Sequence, residues 1–151
     1  MANRNSINYA KSIAVPATKI DPGEINCRVK FIYDSYVYTE TLDINDVILG
    51  PMLPAGAFVV DAFIHATTGG GAGKYALGHL VSASGDTVAD PNAFVDECDC
   101  GGGAALQKAD INDAKLFTRL TEAVQLALLI SEASTGATGT VKYGVWYTLE
   151  S

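Results

Sequence analysis

The chain has 151 residues, 48% of them hydrophobic and 18% charged, which suits one domain with a buried core and excludes a disordered tail. Asp and Glu number 17 against 10 Lys and Arg, a formal charge of -7, so the body repels phosphate backbones and nucleic acid is not expected as a partner. No apolar run approaches the roughly 20 residues of a membrane-crossing helix, so no membrane is expected as a partner. The opening Met-Ala-Asn-Arg-Asn-Ser lacks the marks of a secretory signal, which gives synthesis in the cytoplasm as the expectation.

Residues 1–24 read as an extended N-terminal arm and 25–151 as the folded domain. Residues 1–19 carry Arg4, Lys11 and Lys19 and no acid, whereas residues 20–151 carry 7 basic and 17 acidic side chains. Ile7, Tyr9, Ile13 and Val15 are scattered through the same segment without a clean period. Pro16 and the Asp21-Pro22-Gly23 turn signal follow. Such an arm suits the acidic surface of a neighbouring subunit, and Arg4, Ile7, Tyr9, Lys11, Ile13 and Val15 are its candidate partner-binding residues.

Strand signals begin at Ile25. Cys27, Val29, Phe31, Tyr33 and Val37 alternate with Arg28, Lys30, Asp34 and Glu40, so the first set is expected to face inward. After Pro54-Ala55-Gly56, Phe58, Val60, Ala62 and Ile64 alternate with Val59, Asp61, Phe63 and His65. Tyr75, Leu77, His79 and Val81 form a third strand pattern, closed by Ser84-Gly85-Asp86. Shorter candidates lie at Asp46–Leu49, Phe94–Cys98 and Lys115–Leu120.

Leu116–Ser131 is rich in helix formers. A strand over about Ala123–Glu132 is preferred, because Val124, Leu126, Leu128 and Ile130 alternate with smaller residues and Ser134–Gly139 then makes a hairpin loop. The last strand is the clearest: Val141, Tyr143, Val145, Tyr147 and Leu149 on one face, Trp146 on the other. About eight strands joined by glycine turns predict an all-β fold, an antiparallel jelly-roll-like β-sandwich.

Chemistry-bearing motifs are weak. Thr68–Tyr75 resembles a phosphate loop but places Thr68 where the first glycine belongs and Tyr75 where magnesium needs a hydroxyl. The strand pattern that follows offers no helix N-terminus, which also defeats the loose dinucleotide fingerprint Gly71–Ala76. Asp96-Glu97-Cys98-Asp99-Cys100 is the densest ligand cluster. Zinc would have to recruit Cys27, His65 or His79, and calcium Asp110 or Asp113, at spacings that match no metal loop, so an acidic solvated loop is the reading. Three cysteines, two separated by one residue, predict reduced thiols.

No nucleophile elbow accompanies the histidines. His65 falls beside Asp61 on a polar-leaning face, and His79 shares a face with Tyr75 and Leu77. No catalytic residue, cofactor or metal is assigned, and no enzyme is expected. Tyr33, Tyr36, Tyr38, Tyr143, Trp146 and Tyr147 could form a sugar-stacking platform or, alternatively, core and subunit contacts. Trp146, on the outward face, is the candidate for an interface or ligand.

Gly50–Ala62, Ser82–Asp86, Ala89–Phe94 and Thr138–Tyr143 together resemble small virion structural proteins of tailed bacteriophages, over roughly residues 20 to 149. The resemblance implies a noncatalytic capsid decoration (cement) protein on the virion surface, a homotrimer whose partners are itself and the major capsid protein. The runner-up it admits is a receptor- or carbohydrate-binding module of a fibre, neck or tail. A shell-stabilising subunit needs a rigid sandwich and a surface for symmetric assembly, and no cofactor.

Overall fold

The computed structural model describes residues 28–67, 73–81, 90–99, 104–110, 113, 115–133 and 138–149. They form eight strands: β1 (Lys30–Tyr38), β2 (Val47–Leu53), β3 (Ala57–Thr67), β4 (Lys74–Val81), β5 (Asp90–Asp99), β6 (Ala105–Lys108), β7 (Val124–Glu132) and β8 (Gly139–Leu149). The arm residues Arg4, Ile7, Tyr9, Lys11, Ile13 and Val15 lie outside the described residues. So do Cys27, Cys100, the Thr68–Ala72 loop and Ser82–Ala89.

Each strand pairs antiparallel with its counterpart counted from the other end of the series: β1 with β8, β2 with β7, β3 with β6, β4 with β5. This is one long antiparallel ribbon. Rolling it up sets β8 against β3 and β7 against β4. Two four-stranded sheets result, β1-β8-β3-β6 and β2-β7-β4-β5, the strand order of a jelly roll.

The core lies between the sheets. Val141, Tyr143, Val145 and Tyr147 of β8 face Val124, Leu126, Leu128 and Ile130 of β7, all buried as the alternation predicts. The helix formers of β7 yield to this packing, because every second residue enters an apolar interior at about 1.5–3 kcal/mol per large side chain. Gly50 of β2 packs against the Tyr143 ring of the opposite sheet, where a β carbon would stand 2.6 Å from Oη. Tyr143 also donates to an Asp34 carboxylate oxygen at 3.4 Å. Burial first, then the Asp34 charge, raises the Tyr143 pKa above the ordinary phenol value.

Three sequence expectations are corrected. In β1 the alternation holds but the faces are reversed: Phe31, Tyr33 and Val37 are exposed, while Ile32 and Asp34 are half-buried and Tyr38 is buried. Periodicity fixes alternation and leaves the buried face to the neighbour, and here Ile32 pairs with the core residue Val145 while Phe31 pairs with the outward Trp146.

In β3 the register against β8 shifts between Val59 and Asp61. Ala57 and Val59 are therefore buried before the bulge and Ala62, Ile64 and Ala66 after it, leaving Phe58 and Val60 outside. The candidate strand Lys115–Leu120 is instead a turn with a single bridge, Phe58 to Arg119. The sequence pattern gave no sign of β6.

That turn straps the two sheets together. Lys115 N–H donates to the Ala93 carbonyl of β5, while Phe117 and Leu120 N–H groups donate to Val59 and Ala57 of β3. Leu116 and Leu120 anchor it in the core. Phe117 at its tip has φ of 55°, a left-handed conformation that costs a bulky residue of order 1–3 kcal/mol.

Candidate interaction surface

The outer face of the β1-β8-β3-β6 sheet is built by cross-strand register. Trp146 of β8 lies between Phe31 of β1 and Asp61 of β3, and Gly144 lies between Tyr33 and Phe63. The rings close over that pair of rows: Phe31 stacks on Trp146 with centroids 4.6 Å apart, and Phe63 lies 5.4 Å from Trp146 and 6.3 Å from Phe31. Tyr33 extends the cluster at 6.2 Å from Phe31. Gly144 is what permits this, because a β carbon there would stand 2.7 Å from Phe63 and 2.8 Å from Phe31.

Beyond the bulge the same face continues through Phe58, whose ring is 6.3 Å from that of Phe117. Four of the chain's five phenylalanines and its one tryptophan therefore lie on or beside an outer face. The core takes Tyr38, Tyr75, Tyr143, Tyr147 and only Phe94. Hydrophobicity alone would put the rings without a hydroxyl inside. The reverse holds here, with Phe31 48% exposed, and together with the 49%-exposed Tyr33 beside it these rings make an apolar patch of the kind that marks an interaction surface. Register places Lys142 and Lys108 with Asp61 and His65 around it, a polar rim.

Two polar recesses lie elsewhere. A groove of about 440 Å3 between the edges of β5 and β6 is lined by Asp96, Glu97, Asp110 and Asp113 with Asn92, Gln107 and Lys108. It gathers most of the acids weighed for calcium. Burial, ahead of the neighbouring Asp96 and Asp110 charges, raises the Asp113 pKa. Among the described residues no three His, Cys, Asp or Glu side chains are disposed to hold a metal ion.

Buried Cys98 sets its Sγ 4.0 Å from the Ile64 carbonyl. Glu97 instead pairs with Lys74 at 3.1 Å, and Glu132 joins the same lysine at 3.4 Å.

His79 lies on the buried face with Tyr75 and Leu77, as the alternation predicts. It is 8% exposed, both ring nitrogens lack a hydrogen-bond partner among the described residues, and its ring sits 5.8 Å from that of Phe94. A cavity of about 300 Å3 beside it is bounded by the strap residues Lys115, Thr118, Arg119 and Glu122. His65 is half-buried on the outer face with Asp61 and Phe63.

Of the residues singled out from sequence, Trp146 falls inside the aromatic cluster, and the arm residues fall outside the described residues. Phe31, Phe63, Phe58 and Phe117 were missed. Their only signal was composition, since β1 and β3 become neighbours of Trp146 through pairing across more than eighty positions.

No protein-family model matches the sequence, and no curated protein matches it. Among solved structures the fold is similar to a chain of the cyanophage Pam1 capsid asymmetric unit, at 22% identity and a TM-score of 0.60, covering 90% of this chain and 96% of that one. It is also similar to a chain in the capsid of Ralstonia phage GP4, at 14% identity and a TM-score of 0.61, covering 83% of this chain and 88% of that one.

Proposed function

We propose that this chain is a noncatalytic structural protein of a bacteriophage particle, a capsid decoration (cement) protein bound at the shell surface. The observation that carries the reading is the aromatic outer face of Phe31, Tyr33, Phe63 and Trp146, on a jelly roll whose structural neighbours come from phage capsids. A sheet face studded with rings and rimmed by charge suits a protein partner: large rigid rings give contact area at little cost in conformational entropy. The partners are the major capsid protein and further copies of the chain, assembled as a homotrimer. The packing of Trp146 between Phe31 and Phe63 favours this over a carbohydrate site, because a sugar stacks on an open ring face and this indole is already flanked.

Copy number in purified virions, by gel densitometry against the major shell protein, tests the proposal. A ratio near one is the expected result. A few copies per particle would move the chain to neck, tail or fibre, and absence would overturn the virion reading.

A further inference from the structure

Each sheet of the sandwich ends in two outer strands, and three of these four are guarded against strand addition. β2 carries Pro51 and a register shift between Leu49 and Met52, β5 carries Pro91 and two shifts, and β6 has four residues. Proline, bulges and shortness are the usual means of blunting a sheet edge. β1 has none of them. Its nine residues hold neither proline nor glycine, pair with β8 without a shift, and have no strand on the other side among the described residues. Its core-side face is also incompletely covered, since Ile32 and Asp34 are half-buried and Tyr36 is 37% exposed.

The sequence holds a segment matched to that edge. Ile7, Tyr9, Ile13 and Val15 all occupy odd positions, with small Asn8, Ala10, Ser12 and Ala14 between them, and Lys11 completes the odd set. In the sequence, Asp21-Pro22-Gly23-Glu24 leaves four residues between Ile20 and Ile25, the length of a hairpin loop built around a type I turn, and such a loop would set Ile20 opposite Ile25. Carried along an antiparallel pair, that register puts Ile13 opposite Ile32, Tyr9 opposite Tyr36 and Ile7 opposite Tyr38. It also puts Lys11 opposite Asp34. Opposite residues share a face, so the apolar odd residues would cover the core-side face of β1 and the one basic residue among them would meet its one carboxylate.

We propose that residues 7–15 of the chain add to the free edge of its own β1 as a fifth strand of that sheet, in this register. Own-chain pairing is preferred to exchange with a second copy because the turn lies midway between the two segments and holds them at high effective concentration. The small even residues fall beside Phe31 and Tyr33, leaving the aromatic face open. The inference is independent of the proposed function.

Hydrogen exchange on the full-length chain tests it, read at the β1 amides that do not bond to β8. These amides should be protected in the wild type to the same degree at every protein concentration. Ile13→Glu should remove the protection while Ser12→Glu, one position along and on the other face, retains it. Lys11→Glu should weaken it and Lys11→Glu with Asp34→Lys restore it. Free exchange in the wild type, equal damage from the two glutamates, or protection that disappears on dilution would overturn the proposal, the last by assigning the strand to a second copy.

Discussion

The β carbon that Gly144 lacks would stand 2.7 Å from Cε1 of Phe63 and 2.8 Å from Cε2 of Phe31. The rings of two different strands thus meet over a residue of the strand between them. Gly144→Ala should force both rings aside, at about 1–3 kcal/mol if they cannot move freely. Urea unfolding gives the cost, and Phe31→Ala in the same chain should recover part of it.

Phe31 and Phe94 separate binding from stability. Phe94→Ala empties a fully buried site and should cost about 3–5 kcal/mol. Phe31→Ala removes a half-exposed ring, so only its contacts with Trp146 and Phe63 are lost, about 0.5–1.5 kcal/mol each. Its larger effect should fall on co-sedimentation with capsid shells, which Phe31→Ala weakens and which a merely structural ring would leave unchanged.

His79 makes stability depend on acid. Burial, together with the Lys115 charge, holds its pKa below the ordinary 6.5, against the opposing pull of Asp90 and Glu122. As pH falls through 6.5 the unfolded chain takes up a proton that the folded chain refuses. Stability is therefore full above that value and declines below it until the folded imidazole also titrates, at up to about 1.4 kcal/mol per pH unit. His79→Leu should flatten the slope between pH 7 and pH 5 in urea unfolding, and since the ring nitrogens hold no hydrogen bond among the described residues its cost at pH 7 should be small.

Gly50 and Tyr143 should be coupled across the sandwich. Gly50→Ala sets a methyl group 2.6 Å from the phenol oxygen and 3.0 Å from Cε2, with Leu126 at 3.2 Å behind it. Tyr143→Phe removes only the first obstacle. A double-mutant cycle should therefore show Gly50→Ala costing less in the Tyr143→Phe chain, by roughly 0.5–2 kcal/mol, and strict additivity would mean that Gly50 moves away freely.

The sequence was legible where one alternation runs unbroken into a fully apolar interior, as in β7 and β8. It misled in β1, where the more apolar face of Phe31, Tyr33 and Val37 is the exposed one, and pairing with Val145 and Trp146 decides which is covered. In β3 one extra residue at the bulge exchanges Phe58 for Val59, a change no periodicity carries. Lys115–Leu120 has a strand's composition but spends its backbone hydrogen bonds on two different sheets. Trp146 could be read as outward from its own strand alone. Its partners Phe31 and Phe63 could not, because the cluster exists only through register between distant segments.

The placement of four tyrosines inside and the one tryptophan outside also divides the optical signals of the molecule. With Tyr38, Tyr75, Tyr143 and Tyr147 buried, tyrosine absorbance follows loss of the interior over a constant contribution from exposed Tyr33 and Tyr36, while emission of the one indole, packed between Phe31 and Phe63, responds both to what touches the outer face and to unfolding. Emission that changes while tyrosine absorbance holds steady therefore marks docking without unfolding.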